Sequence, residues 1–258
     1  MIRPLEGKIA LVTGASRGIG RAIAERLAQD GALVAVHYGR NQSAATETVS
    51  SILATGGSAF SVGADLAART GVAQLFAALD EELIARTGST RFDILVNNAA
   101  VAPMLSFEST SETMLDEIYN VNVKAVFFAT QEALKRLRDG GRIVNISSGV
   151  VRTPIPEATA YSILKAPIDN LTKVLAPLVG ERSITVNAVA PGVIETDMSA
   201  AFSRDTHQVE FVKSRQSLKR IGQPEDIADV VGFLSGLEGR WVTGQIIEAS
   251  GGTALTFS

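Results

Sequence analysis

Tyr161-Ser162-Ile163-Leu164-Lys165 sets a phenol and an ammonium four residues apart, on one face of a helix if the segment is helical. A cation beside a phenol stabilises the phenolate and lowers a pKa that starts near ~10, toward the range in which tyrosine exchanges a proton with an alcohol or a ketone. Ser148 follows the apolar run Arg142 to Ile146, where its hydroxyl is placed to hydrogen-bond the same carbonyl oxygen. Proton transfer at a carbonyl is the chemistry these groups suit. A Tyr/Lys pair with this spacing is also the make-up of an ordinary surface pair, so its weight depends on the rest of the chain.

A second stretch supplies that weight. Lys8 to Val12 is an apolar run of strand length, Thr13-Gly14-Ala15-Ser16-Arg17-Gly18-Ile19-Gly20 is a glycine-rich turn, and Ile19, Ile23 and Leu27 then recur with helical spacing. A strand-turn-helix junction of this kind aims backbone N–H groups and the positive end of a helix at one point, and glycine lets an anion approach closely. The expected guest is phosphate. The spacing is Gly-x3-Gly-x-Gly, which differs from the common Gly-x-Gly-x-x-Gly, and a P-loop is excluded because Arg21 and Ala22 follow Gly20.

The elements that must position these groups alternate. Strands are expected at 8–12, 32–36, 58–62, 94–96, 142–146 and 184–189, with helices from the glycine turn to Asp30 and over 42–55, 72–86, 111–138 and 159–179. Continuously apolar strands alternating with helices predict a parallel α/β sheet covered by helices on both faces. Ligands of such a sheet sit beyond the carboxyl ends of its strands. Polar, glycine or proline residues gather there: Thr13-Gly14, His37-Tyr38-Gly39-Arg40, Ala64-Asp65-Leu66, Asn97-Asn98-Ala99-Ala100, Ser147-Ser148 and Ala190-Pro191-Gly192.

Composition narrows the classes. The 258 residues carry a net charge of −3, two histidines and no cysteine, so disulfides and the usual Cys/His zinc sites are out of reach. Nucleic acid is not the expected partner. No linker or repeat divides the chain, which reads as one dinucleotide-binding catalytic domain over 1–258. With no signal-peptide core and no membrane-spanning run, a cytoplasmic protein is expected.

In order and spacing, Thr13-Gly14-x3-Gly18-x-Gly20, Asp65, Asn97-Asn98-Ala99, Asn122, Ser148, Tyr161-x3-Lys165 and Pro191-Gly192 resemble the short-chain dehydrogenases/reductases. Within them the chain is most similar to the 3-oxoacyl-(acyl-carrier-protein) reductase group, through Ile184 to Met198 and Gly222-Gln223-Pro224-Glu225-Asp226-Ile227-Ala228. The resemblance implies a Rossmann-type, doubly wound form of the parallel α/β sheet, with about seven strands. It also implies Tyr161 as general acid, Ser148 polarising the substrate oxygen, Lys165 holding the nicotinamide ribose while lowering the Tyr161 pKa, and Asn122 anchoring a water of a proton relay. It implies a cofactor site built from Gly14, Ser16, Arg17, Gly18, Ile19 and Gly20, then Tyr38, Gly39 and Arg40, Asp65 and Leu66, and Asn98, Ala99 and Ala100. Tyr161, Lys165, Pro191, Gly192, Ile194 and Thr196 complete it, with Asp65 on the adenine amine.

NAD-preferring members carry an acid at the end of the second strand. Here His37-Tyr38-Gly39 stands there, and Arg17 and Arg40 are placed to flank a 2′-phosphate. NADP(H) is therefore the expected cofactor, with NAD(H) as the alternative. The expected reaction is reduction of a small-molecule or thioester ketone, against an NAD-dependent alcohol or sugar dehydrogenase or a non-catalytic dinucleotide sensor. Residues 195–220 read as a substrate lid, and Met104, Val150, Pro154, Ile155, Val193, Met198, Phe202 and Phe211 as an apolar pocket. An acyl carrier protein would dock on Arg136, Arg138, Arg142 and Arg182, although Asp139 intrudes there. The resemblance also implies a homotetramer, assembled through helices 111–138 and 159–179 and the C-terminal segment. Ala100 replaces the family's glycine, and Pro167 and Pro177 fall inside the expected catalytic helix.

Overall fold

The computed structural model of the chain describes residues 3–199, 206–253 and 255. Its strands are β1 Ile9–Val12, β2 Leu33–Tyr38, β3 Ser58–Gly63, β4 Phe92–Asn97, β5 Leu137–Ile146, β6 Thr185–Pro191 and β7 Ile246–Ala249. They form one parallel sheet in the order β3-β2-β1-β4-β5-β6-β7. The order reverses between β1 and β4, and the crevice at such a reversal is where a doubly wound sheet binds its ligand.

Side-chain alternation divides the core between the two faces of the sheet. Ala10 and Val12 of β1 pack with Ile23 and Leu27 of α1 (Gly18–Gln29), Ile52 of α2 (Gln42–Ala54) and Val231 of the late helix Pro224–Ser235. Ile9 and Leu11 face the other way, onto Leu75 and Leu79 of α3 (Gly71–Thr87), with Ala129 and Ala176 from the helices beneath β4 and β5. Both faces of the sheet are therefore covered by apolar side chains.

The expected helix 111–138 is revised. Ser111 caps α4 (Glu112–Tyr119), a π turn runs over Asn120–Lys124, and α5 spans Ala125–Leu134. The helix stops early because Leu137 is taken into β5, opposite Phe92, and Arg138 pairs with the buried Asp93. Strand β5 consequently begins at Leu137 and not at Arg142. Helix α6 runs unbroken over Thr159–Val179, the expected span, with Pro167 and Pro177 inside it. After β6 come α7 (Thr206–Arg215) and α8 (Pro224–Ser235), the latter opened by Pro224 at its first position and by reciprocal capping between Gln223 and Asp226. Residues 200–205 of the expected lid, with Phe202, lie outside the described residues. Among the described residues no helix is long and apolar enough to cross a membrane.

Candidate active site

The end of β5 is tied to α6 residue by residue. The Asn145 amide donates to the Thr172 hydroxyl at 2.9 Å, Lys165 Nζ donates to the Ile146 carbonyl at 2.8 Å, and Ser147 Oγ donates to Asp169 Oδ1 at 2.5 Å. The fourth residue, Ser148, hydrogen-bonds the Tyr161 hydroxyl through its side chain. Ser148, Tyr161 and Lys165 are thus brought together. Lys165 is buried, and burial pushes its pKa down to about 8 while the Asp169 charge pulls the other way. Burial raises the Tyr161 phenol above its ordinary value, opposed by the Ser148 hydrogen bond. This corrects the expectation that Lys165 lowers it: the ammonium gives one donor to the Ile146 carbonyl and lies 5.8 Å from the centre of the phenol ring.

Asn122 is fully buried in the π turn, and its amide both accepts from the Val101 N–H at 2.9 Å and donates to the Val101 carbonyl at 2.8 Å. Its side chain therefore fixes the loop after β4 and reaches neither Lys165 nor Tyr161. The widened turn around it is the kind of helix irregularity that recurs at functional sites.

At the other end of the cleft the glycine turn joins β1 to α1. Gly18 lies in the left-handed region at φ +54°, and a Cβ on Gly20 would come within 2.3 Å of the Gly14 carbonyl. No side chain caps α1, so the N–H groups of its first turn remain for an anion, with Ser16, Arg17 and Ile19 beside them. That uncapped, glycine-lined end fits a dinucleotide phosphate. The Asn98 amide donates to the carbonyls of Thr13 and Gly14 at 2.9 and 3.0 Å and so braces the turn from behind. Ala100 has no left-handed φ, so the position does not need the family's glycine.

Arg40 and Arg17 each meet a carboxylate. Arg40 pairs with Asp65 at 3.2 Å, which places two expected cofactor ligands on one another, and Arg17 pairs with Asp197 at 3.5 Å. All four side chains are well exposed, so these pairs hold their partners weakly. Tyr38 and Gly39 close β2 beside them, Leu66 is buried after Asp65, and Gly192 packs its backbone against Ser250. Ile194 bridges to Gly222, and Thr196 lies against Gly18, its Cγ2 within 3.3 Å of where a Cβ there would sit.

Several residues carry more than sequence reasoning assigned to them. Thr13 Oγ1 accepts from the N–H groups of Asn98 and Ala99, joining β1 to β4 across the reversal of strand order. His37 is buried with Nδ1 accepting from Gly14 N–H and Nε2 facing the Ala64 carbonyl, both at 3.0 Å, and burial lowers its pKa from 6.5 to about 4. Its imidazole is neutral and is a strut beneath the turn, held there by the Gly14 N–H. Asp169 was readable as the next i+4 position after Tyr161 and Lys165, but nothing in the sequence shows that Ser147 meets it.

The expected carrier-docking arginines are misplaced. Arg142 lies roughly 20 Å back along the strand direction from Ser148, at ~3.3 Å per residue, toward the amino end of the sheet. There it is buried, while Arg136 pairs with Asp80, Arg138 with Asp93 and Arg182 with Asp139. Met104 and Ile155, by contrast, are exposed apolar groups on the loops after β4 and β5 at the carboxyl rim, as is Met198 after β6.

Residues 14–254 match the family model described as enoyl-(acyl carrier protein) reductase. The solved structure of the lugdunomycin-pathway reductase LugOII, described as catalysing keto-reduction at C1, is 48% identical over 98% of this chain and 100% of that one, with a TM-score of 0.94. The angucycline C-6 ketoreductase LanV, solved with bound NADP, is 46% identical over 98% of both chains, also with a TM-score of 0.94. A versicolorin reductase of Emericella nidulans is 38% identical over 96% of each protein. On this fold, this rim and these relatives, the chain belongs to the short-chain dehydrogenase/reductase family of NAD(P)-dependent oxidoreductases.

Proposed function

We propose that the protein is an NADPH-dependent ketoreductase that converts a ring-borne ketone into a secondary alcohol. The observation that carries this reading is the meeting of the Tyr161 and Ser148 hydroxyls beside the buried Lys165, at the rim where the uncapped end of α1 fits a dinucleotide phosphate. NADPH, when bound, would supply the hydride that reduces the carbonyl carbon. The Ser148 hydroxyl donates to the substrate oxygen and orients it. Tyr161 gives that oxygen its proton, and its raised pKa keeps the phenol in the acid form that reduction needs. Lys165 holds the nicotinamide ribose hydroxyls, and Asn122, through the π turn, anchors the water that returns a proton. Arg17 and Arg40 exchange Asp197 and Asp65 for the 2′-phosphate.

The names of the relatives favour an angucycline-like ketone over a 3-oxoacyl thioester, and the apolar Met104, Ile155 and Met198 at the rim suit such a ring system. The exposed Phe127, Phe128, Ile163 and Leu178 of α5 and α6, with Trp241 near the C terminus, support a homotetramer. The test is a panel of an angucycline ketone and acetoacetyl thioesters, with and without an acyl carrier protein, each assayed with NADPH and NADH. Fastest turnover is expected for the ring ketone with NADPH. Turnover confined to the carrier-bound thioester, or a higher kcat/KM with NADH, contradicts this reading.

A further inference from the structure

Tyr161, Lys165 and Asp169 recur at intervals of one helical turn along a single stripe of α6, and each meets the end of β5. Two of the three are absorbed by the proposed reaction. The third, Asp169, is half-buried and accepts the Ser147 hydroxyl at 2.5 Å, a length typical of a hydrogen bond to a charged acceptor. Ser147 directly precedes Ser148. Lys165, one turn before Asp169, is a buried ammonium that donates to the Ile146 carbonyl.

We propose that Asp169 is a positioning residue for the reaction: its carboxylate is the counter-charge of the buried Lys165 ammonium, and through Ser147 it pins the backbone that presents the Ser148 hydroxyl to Tyr161. The inference rests on the roles proposed above for Tyr161, Ser148 and Lys165.

The charged and titratable groups around Lys165 are few. On its own helix they are Tyr161 and Asp169. The site ends of β5 and β6 contribute Asn145, Ile146, Asn187 and Ala188, all uncharged and buried. The π turn carries Lys124, α4 carries Glu112, Asp116, Glu117 and Tyr119, and the turns before α6 carry Arg152 and Glu157, all exposed to solvent. Of these charges only Asp169 acts on the ammonium, and it opposes the burial that would strip the proton. A protonated Lys165 keeps its donors for the Ile146 carbonyl and for ribose hydroxyls. The bond from Ser147 uses the other resource of the same carboxylate, its lone pairs, so charge and position are fixed by one group.

Two substitutions separate these contributions. Asp169→Asn keeps an acceptor for Ser147 and removes the charge, whereas Ser147→Ala removes the hydrogen bond and keeps the charge. The primary readout needs no turnover: the Cε resonance of Lys165 is followed against pH in protein labelled with 13C-lysine, assigned by its loss in Lys165→Met. The wild-type midpoint is expected near 8. In Asp169→Asn it is expected to fall by at least ~0.5 pH unit, with the alkaline limb of kcat/KM for ketone reduction moving in the same direction. Ser147→Ala is expected to leave midpoint and limb in place and to lower kcat several-fold, at about an unchanged KM for NADPH.

An Asp169→Asn midpoint equal to that of the wild type overturns the inference, as does a limb that moves with Ser147→Ala and not with Asp169→Asn. Should Asp169→Asn fail to fold, Asp169→Glu carries the test, because it retains the charge and must retain the wild-type midpoint; a lowered midpoint there overturns the inference equally. Tyr161→Phe assayed in parallel keeps the two levels apart. Undiminished turnover in that variant removes the proposed reaction, whereas the lysine titration still judges Asp169 by itself.

Discussion

At the end of β5 four successive side chains or carbonyls are bonded to α6, several of them fully buried, whereas at the ends of β2 and β3 the charged groups Arg40 and Asp65 pair with each other in solvent. The glycine turn is intermediate, since His37, Thr13 and Asn98 brace it from behind and its front is open. Proton transfer tolerates little misplacement, so the groups proposed for it stand on strand and helix and are locked by neighbours. A phosphate on flexible guanidinium side chains tolerates more, and weak ion pairs that yield to it serve well enough. The contrast separates a half of the cleft built in advance from a half completed by what binds there.

The sharpest way to break this contrast is to remove the phenol hydroxyl. Tyr161→Phe is expected to lower kcat by roughly a hundredfold or more while leaving NADPH affinity, measured by fluorescence titration, within about threefold. A variant that loses cofactor binding instead would show that the two halves are one unit.

The His37 strut gives the next effect. The unfolded chain protonates this imidazole near pH 6.5, but the folded protein resists until about pH 4. Its contribution is therefore fully present above pH 6.5 and lost as pH falls through that window, by roughly 3 kcal/mol in all. Urea unfolding of the wild type between pH 7 and 4 is expected to show this loss, and His37→Asn is expected to flatten it. Equal slopes in the two proteins would mean that another group carries the acid sensitivity.

Gly20→Ala is expected to cost about 2 kcal/mol, because the new Cβ meets the Gly14 carbonyl and the Asn98 amide; a fall in Tm of roughly 4–8 °C follows. An unchanged Tm would show that the turn yields easily and belongs with the adaptable half. The smallest effect is expected there: Arg40→Ala should raise KM for NADPH about tenfold and leave KM for NADH nearly unchanged. Equal losses with both cofactors would remove Arg40 from the 2′-phosphate.

Legibility in the sequence follows the same division. The continuously apolar strands, the glycine turn and the Tyr161/Lys165 spacing are local patterns, so the parallel sheet and α6, including its exact-length run through Pro167 and Pro177, were readable before any coordinates. What depended on pairing between distant segments was not. Leu137 has no local signal that it joins Phe92 and ends α5 early, and no spacing rule brings Ser147 to Asp169 or His37 beneath Gly14. The arginines taken for a carrier dock were misjudged for a different reason, since Arg142 opens its expected strand and Arg182 precedes the next, which already puts both at the amino ends of strands whose carboxyl ends form the cleft.

The most direct test of the central proposal follows the hydrogen itself. Wild-type protein is incubated with NADPH carrying deuterium at the transferable position of nicotinamide C4 and with an angucycline ketone, and the product is analysed by mass spectrometry and NMR. The expected result is one deuterium on the new carbinol carbon. Label on a carbon of a reduced C=C bond, or unlabelled product, would contradict the assignment of this rim to carbonyl reduction.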